Sequence, residues 1–273
     1  IACASTGNTS ASAAAYGAHA GLPTTVVVPK GNVARGKLVQ AIACGAKVVP
    51  IDGNFDDALN LVRSLAERTS VTLVNSLNPD RIQGQKTAAF EIVESLDGAP
   101  HYLFVPVGNA GNITAYWLGF VEASDMGWAA TRPRMMGFQA EHAAPIVKGE
   151  PVGDPQSVAS AIRVGKPASW DGALKARDES DGTIDAVSDE DIMEAYRLMA
   201  RTEGVFCEPA SAAPVAGILK LSSEGLHLTG KTAVCVITGT GLKDPDMASE
   251  LEPASVEEYP AELEAVEKAL AMV

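Results

Sequence analysis

Short runs of β-branched residues alternate with alanine-rich or amphipathic segments along most of this chain, and that alternation restricts the fold more than any other feature. The runs Thr24–Val28, Lys47–Ile51, Val71–Val74, Tyr102–Val107, Arg134–Phe138 and Thr232–Thr238 have the length and residue types of buried strands. Between them, Thr9–Ala20, Ala34–Cys44, Phe55–Glu67, Gln85–Leu96, Asn112–Ala123, Asp189–Thr202 and Ala210–Ser222 have helical spacing, with Gly or Pro at the junctions. The pattern predicts βαβ units and a mostly parallel sheet covered on both faces, an α/β fold.

Two stretches break the rhythm. Glu141–Asp185 is richer in Gly, Pro and charge and has weaker strand signals, which suits an insertion or a crossover between domains. Ala261–Ala271 predicts a terminal helix, with Leu263, Val266 and Leu270 along one face. A length of 273 residues allows one or two domains. The net charge of −13 argues against phosphate-rich partners such as nucleic acid or an anionic membrane. No apolar run is long enough to span a bilayer. Cys3, Cys44, Cys207 and Cys235 lie far apart in apolar surroundings, without metal-ligand spacing. They read as reduced thiols and point to the cytoplasm. The chain opens at Ile1 inside an apolar run, as if a strand were entered midway, which predicts a further segment upstream.

Ligands of an open parallel sheet collect where strands end and helices begin. Three such junctions carry a high density of small polar residues. Ala4-Ser5-Thr6-Gly7-Asn8-Thr9-Ser10 offers hydroxyls, an amide and helix-start N–H groups to an anion, or forms an elaborate N-cap. Val107-Gly108-Asn109-Ala110-Gly111-Asn112 allows the backbone to turn sharply and cradle a phosphate, or makes a tight turn. Its spacing is not that of a dinucleotide fingerprint. Ile237-Thr238-Gly239-Thr240-Gly241 places two hydroxyls after a very apolar strand, as a ligand contact or a turn.

Taken in order, A-S-T-G-N-T-S, G-N-A-G-N, E-P-A-S-A-A (Glu208–Ala213) and T-G-T-G-L-K-D resemble the pyridoxal-phosphate enzymes of fold type II, the tryptophan-synthase-β-like superfamily. Asn75–Ile92 and Ala159–Trp170 resemble the threonine synthase family within it. The resemblance runs from Ser5 to about Asp244. It implies two mostly parallel, three-layer α/β domains. Residues 1–51 would belong to the smaller one and 52–260 to the larger cofactor-binding one, with a possible insertion at 141–185 and a C-terminal helix at 261–273. It also implies a cytoplasmic homodimer.

The resemblance implies pyridoxal 5'-phosphate as cofactor, and conversion of O-phospho-L-homoserine and water to L-threonine and phosphate. By position, Asn8 matches the contact to the cofactor's phenolic oxygen. Gly108, Asn109, Ala110, Gly111 and Asn112 match the cradle for its phosphate, and Thr238 the hydroxyl facing its ring nitrogen, which would leave that nitrogen neutral. Ser5, Thr6 and Thr9 match the loop that grips the substrate carboxylate and reaches its phosphate. Asn75, Ser76 and Arg81 match the surroundings of the substrate phosphate. An Arg fork suits a dianionic phosphate independently of any family, although a surface ion pair fits the composition equally well. Lys86 reads as a solvated helix residue.

The Schiff-base lysine of the family belongs to a motif like S-F-K-D-R-G upstream of S-T-G-N, which places it ahead of Ile1. Lys243 in G-L-K-D matches a different family position. Two readings stay open beside threonine synthase: a serine/threonine dehydratase or cysteine synthase, and a non-catalytic phosphate-binding α/β protein should that lysine be absent altogether.

Overall fold

Two parallel sheets carry the chain, and both follow from the alternation of short apolar runs with helices. The structure is a computed structural model, and it describes residues 1–30, 35–76, 78–243, 247 and 258–270. Residues Ile1–Lys243 form one compact unit and Asp244–Val273 a second.

The first sheet has the order β1 (Ala2–Ala4), β2 (Thr25–Pro29), β3 (Lys47–Ile51), all parallel. Side chains alternate across it, as strand geometry requires. Cys3, Val26 and Val28 face α1 (Asn8–His19) and α2 (Arg35–Ala43). Ala2, Ala4 and Val27 face Ala58 and Val62 of α3 (Phe55–Arg68). A capping box starts α3: Asn54 accepts from the Asp57 N–H at 3.0 Å, and Asp57 accepts from the Asn54 N–H at 2.8 Å. The strand expected at Val71–Val74 is reduced to one parallel bridge, Leu73 to Ala2, on the free edge of β1. The start of the helix expected at Ala34–Cys44 lies outside the described residues.

The second sheet has the order β6-β5-β4-β7, again all parallel. Its strands are β4 (Tyr102–Pro106), β5 (Arg134–Ala140), β6 (Thr183–Val187) and β7 (Ala233–Cys235). On one face Gly137 lies against Val107, Ile184 and Ile113, the last from α6 (Gly111–Asp125). The same core holds Ala89 and Val93 of α5 (Thr87–Leu96) and Ala173 and Ala176 of α8 (Trp170–Glu179). On the other face α10 (Pro209–Ser223) brings Gly217 onto the Phe138 ring, which stacks on Phe104 at 6.1 Å. α9 (Asp189–Leu198) packs beside α10.

Several expectations shift. The helix expected at Gln85–Leu96 is α5, and a separate short helix that the pattern does not predict, α4 (Asp80–Gln85), precedes it, the two meeting at Lys86. The strand expected at Thr232–Thr238 is only β7, because the chain leaves the sheet after Val236 donates to the Phe104 carbonyl at 2.9 Å. Glu141–Asp185 supplies the short helix α7 (Pro145–Lys148), α8 and the first residues of β6, so this stretch builds the edge of the second sheet. The terminal helix spans Leu263–Leu270 (α11). Among the described residues no helix is long and apolar enough to cross a membrane.

Each sheet has a point where chain direction reverses. From β1 the chain proceeds to β2 and β3, while Leu73 lies on the opposite side of β1. From β4 it proceeds to β5 and β6, while β7 lies on the opposite side. Crevices open at the carboxyl ends of strands at such points. Here those ends are the loops Ser5–Gly7, Val107–Ala110 and Val236–Thr240.

Candidate active site

At the first crevice, β1 ends in a loop held from the side. The Asn75 amide accepts from the Ala4 N–H at 2.9 Å and donates to the Ala4 carbonyl at 2.7 Å, and the residue is buried. Its side chain therefore continues the ladder that Leu73 begins. Ser5 Oγ accepts from the Gly7 N–H at 3.2 Å, and Ser10 Oγ donates to the Gly7 carbonyl at 2.7 Å. Thr6 and Thr9 are half-buried. Arg81, on α4, donates from Nη1 to Ser76 Oγ at 3.1 Å. Burial holds its guanidinium below the ordinary arginine range, and among the described residues no carboxylate pairs with it. Burial also pushes the neighbouring Cys3 thiol up to about 11, against the pull of the Arg81 charge. A cation without a counter-charge in a half-desolvated position is chemically suited to an anion.

At the second crevice, the loop after β4 opens α6. Ala110 adopts a left-handed conformation, φ 63°, which a non-glycine residue reaches only at a cost of about 1–3 kcal/mol. The backbone N–H groups of Gly108, Asn109, Ala110, Gly111 and Asn112 donate to no acceptor among the described residues. They form a run of donors at the start of a 15-residue helix, where backbone partial charge favours an anion. The loop is braced from outside. The Asn109 carbonyl accepts from the Ser169 N–H at 3.0 Å, and its side chain accepts from the Ala168 N–H at 3.3 Å. Asn112 ties the helix start to β4 by donating to the Pro106 carbonyl at 2.7 Å. A Cβ on Gly108 would lie 2.9 Å from the Ala161 carbonyl oxygen. The stretch Ala159–Trp170 is thus the back wall of this cradle. A phosphate dianion fits the donor set.

Residues from the two sheets meet at a buried carboxylate. Glu208 accepts from Asn8 Nδ2 at 3.1 and 3.2 Å and from the Thr238 hydroxyl at 3.2 Å. Ser211 accepts from the N–H groups of Thr238 and Gly239 at 2.9 and 3.0 Å. Lys243 donates to Gln40 at 2.8 Å; burial lowers its pKa and the Glu208 charge opposes that shift. Lys86 is ion-paired to Glu122 at 2.8 Å rather than simply solvated.

The structure therefore joins Asn8 to Thr238 through Glu208, Ser76 to Arg81, and Asn75 to the strand that delivers Ser5 and Thr6. Gly108–Asn112 form one continuous donor surface. Glu208 and Ser211 were not singled out as individual residues by the sequence. The signal was present in E-P-A-S-A-A, an acid ahead of a proline that starts an alanine-rich helix.

A family model described as pyridoxal-phosphate dependent enzyme matches residues 1–239. The Mycobacterium tuberculosis threonine synthase is 55% identical over 273 residues, covering 100% of this chain and 76% of that protein. The chain belongs to the threonine synthases. These are pyridoxal-phosphate-dependent lyases, and this family member's cofactor is pyridoxal 5'-phosphate. The Bacillus sp. (strain ULM1) threonine synthase is 56% identical, over 94% of this chain and 73% of that protein. The Synechocystis threonine synthase is 58% identical over 91% of this chain, which spans 64% of that relative's length. Among solved structures, threonine deaminase isoform 2 from Solanum lycopersicum superposes with a TM-score of 0.78 at 20% identity, covering 94% of this chain and 74% of that one. Maize serine racemase gives 0.75 at 20% identity, covering 93% and 78%. At that identity the likeness concerns the fold, the same mixed α/β arrangement of parallel sheets.

Proposed function

We propose that the enzyme carrying this chain converts O-phospho-L-homoserine and water to L-threonine and phosphate. The observation that carries the substrate half of this reading is Arg81, a half-buried guanidinium bonded to Ser76 and lacking a carboxylate partner among the described residues. A substrate phosphate would supply the missing charge. Ser5, Thr6 and Thr9, at the start of α1, would receive the substrate's carboxylate and the near side of its phosphate. Asn75 contributes by holding Ala4, and so fixes where Ser5 and Thr6 stand.

The cofactor's phosphate would sit on the N–H groups of Gly108–Asn112, with Asn8 at the phenolic oxygen and Thr238 at the ring nitrogen. When bound, the cofactor supplies an electron sink for carbanions at the substrate's carbons. The residues of this chain hold the substrate's leaving phosphate and orient its carbon skeleton against that sink. Proton transfer between substrate carbons is assigned, by the family resemblance, to the Schiff-base lysine of a motif like S-F-K-D-R-G. Lys243 is not given that part, because its ammonium is engaged by Gln40. Residues 1–51 belong in this reading to the smaller domain and 52–260 to the larger. The four cysteines are free thiols, which supports a reducing, cytoplasmic setting, and a homodimer follows from the family resemblance.

The test is a product assay on the holoenzyme. O-phospho-L-homoserine should yield threonine and inorganic phosphate in equal amounts. Faster release of a 2-oxo acid from L-threonine or L-serine would replace this reading with a dehydratase.

A further inference from the structure

Glu208 is a carboxylate in an expensive place. It is 5% exposed, and a buried carboxylate persists only where donors surround it. Its position at the N-cap of α10 suggests an ordinary explanation, that the side chain turns back to cap the helix. It does not: the N-cap makes no side-chain bond to the helix. The carboxylate points the other way, to Asn8 at 3.1 and 3.2 Å and to Thr238 at 3.2 Å.

A second observation concerns Gly239. Its φ is not in the left-handed region, so the turn itself does not demand glycine. A Cβ there would lie 2.5 Å from Cδ and Oε1 of Glu208. The first glycine of T-G-T-G thus leaves room for the carboxylate.

The hydrogen-bond inventory then fixes directions. Ser211 Oγ accepts from two backbone N–H groups, at 2.9 and 3.0 Å, which uses both of its lone pairs. Its own hydrogen goes to Thr238 Oγ1 at 3.0 Å. Thr238 accepts that hydrogen and gives its single hydrogen to Glu208. The hydroxyl's orientation is therefore set by Ser211 behind it and Glu208 beside it, and in that orientation it would offer a ring nitrogen a lone pair, not the hydrogen that a neutral nitrogen accepts.

We propose that Glu208 is the positioning residue of the cofactor site, one carboxylate that anchors the Asn8 amide at the start of α1 and sets the direction of the Thr238 hydroxyl that follows β7. The inference rests on the placement of the cofactor between Asn8 and Thr238 given above. Glu208 does not touch the reacting atoms in this account. It acts through the two side chains that face the cofactor ring from different parts of the fold.

The isosteric change Glu208→Gln discriminates this from a space-filling role. Oε1 accepts from both Asn8 and Thr238 and Oε2 from Asn8 alone, so a glutamine sets its donating Nε2 against the Asn8 amide in either orientation, and against the Thr238 hydroxyl as well when Nε2 takes the place of Oε1. The experiment compares wild type, Glu208→Gln, Glu208→Ala and Thr238→Val as holoenzymes. It reads the pyridoxal-phosphate dissociation constant, the cofactor absorption spectrum and the thermal midpoint. Glu208→Gln should keep the wild-type midpoint while displacing the absorption maximum. Glu208→Ala should release cofactor about tenfold more readily or worse, the scale of one charge-assisted hydrogen bond. Should Glu208→Ala fail to fold, the glutamine variant decides. Unchanged spectra and affinities in the folded Glu208 variants, with both altered in Thr238→Val, overturn the role of Glu208 and leave the cofactor site standing. If Thr238→Val also changes nothing, the placement of the cofactor is wrong and this inference falls with it.

Discussion

Replacing Arg81 with alanine should separate catalysis from stability. The guanidinium donates to Ser76 at 3.1 Å, and burial already lowers its pKa. Among the described residues no carboxylate offsets it. Its removal therefore strands no buried counter-charge. The folded protein loses one hydrogen bond, about 1 kcal/mol, and is relieved of a desolvated cation, so the thermal midpoint should move little. The substrate phosphate, in contrast, loses its charge-assisted fork. Truncating one partner of a buried charge pair costs about 2–5 kcal/mol, which at about 1.4 kcal/mol per tenfold is roughly 30- to 5,000-fold in kcat/KM. A second readout uses inorganic phosphate on the holoenzyme. A site that binds it stabilises the fold by about 2.7 kcal/mol at a hundred times its dissociation constant, and Arg81→Ala should abolish that gain. Steady-state kinetics with O-phospho-L-homoserine and melts with and without phosphate make the measurement. A variant with kcat/KM within about threefold of wild type, or an undiminished phosphate shift, would return Arg81 to the surface and refute the reasoning.

Two further outcomes follow from the geometry. Gly108→Ala should weaken cofactor binding and destabilise the fold by about 1–3 kcal/mol, because the new Cβ meets the Ala161 carbonyl oxygen at 2.9 Å and Ile162 Cα at 3.0 Å, neither of which can rotate aside; cofactor titration and denaturant unfolding check both. Burial pushes the thiols of Cys3, Cys207 and Cys235 up to about 11 from 9.0. The folded chain then holds more protons than the unfolded one between about pH 9 and 11, so the contribution of these groups is intact below 9 and is lost as pH rises toward 11. Unfolding free energies across that range should fall, and a flat profile would contradict the burial of these thiols.

The sequence and the structure agree where local pattern and burial coincide. Lys47–Ile51 is read with the observed bounds because its apolar run and its pairing with β2 have the same length. Thr183–Val187 does not read as a strand from its sequence. It carries Asp185, whose charge is met by Lys220 of α10 at 2.7 Å, a partner outside any local window. α8 is illegible for a related reason: Ala173 and Ala176 are its only buried residues, too few to set a visible period. At the site, loops were legible because small polar residues cluster after strands. Glu208 was not, since its meaning depends on Asn8, 200 residues earlier, and Thr238, 30 residues later.

The two-way bond between Asn75 and Ala4 has a consequence for how the site comes into being. A side-chain amide here substitutes for a peptide group, closing an edge that β1, three residues long, does not close for itself. The closure spans 71 residues of sequence. Ser5-Thr6-Gly7 is therefore shaped by a segment that a growing chain reaches only after β2, β3 and α3 have been made. A nascent chain halted before Asn75 holds every residue of that loop and lacks the brace that gives it a form. Its assembly is thus a late, long-range event, with the entropic cost that such closures carry.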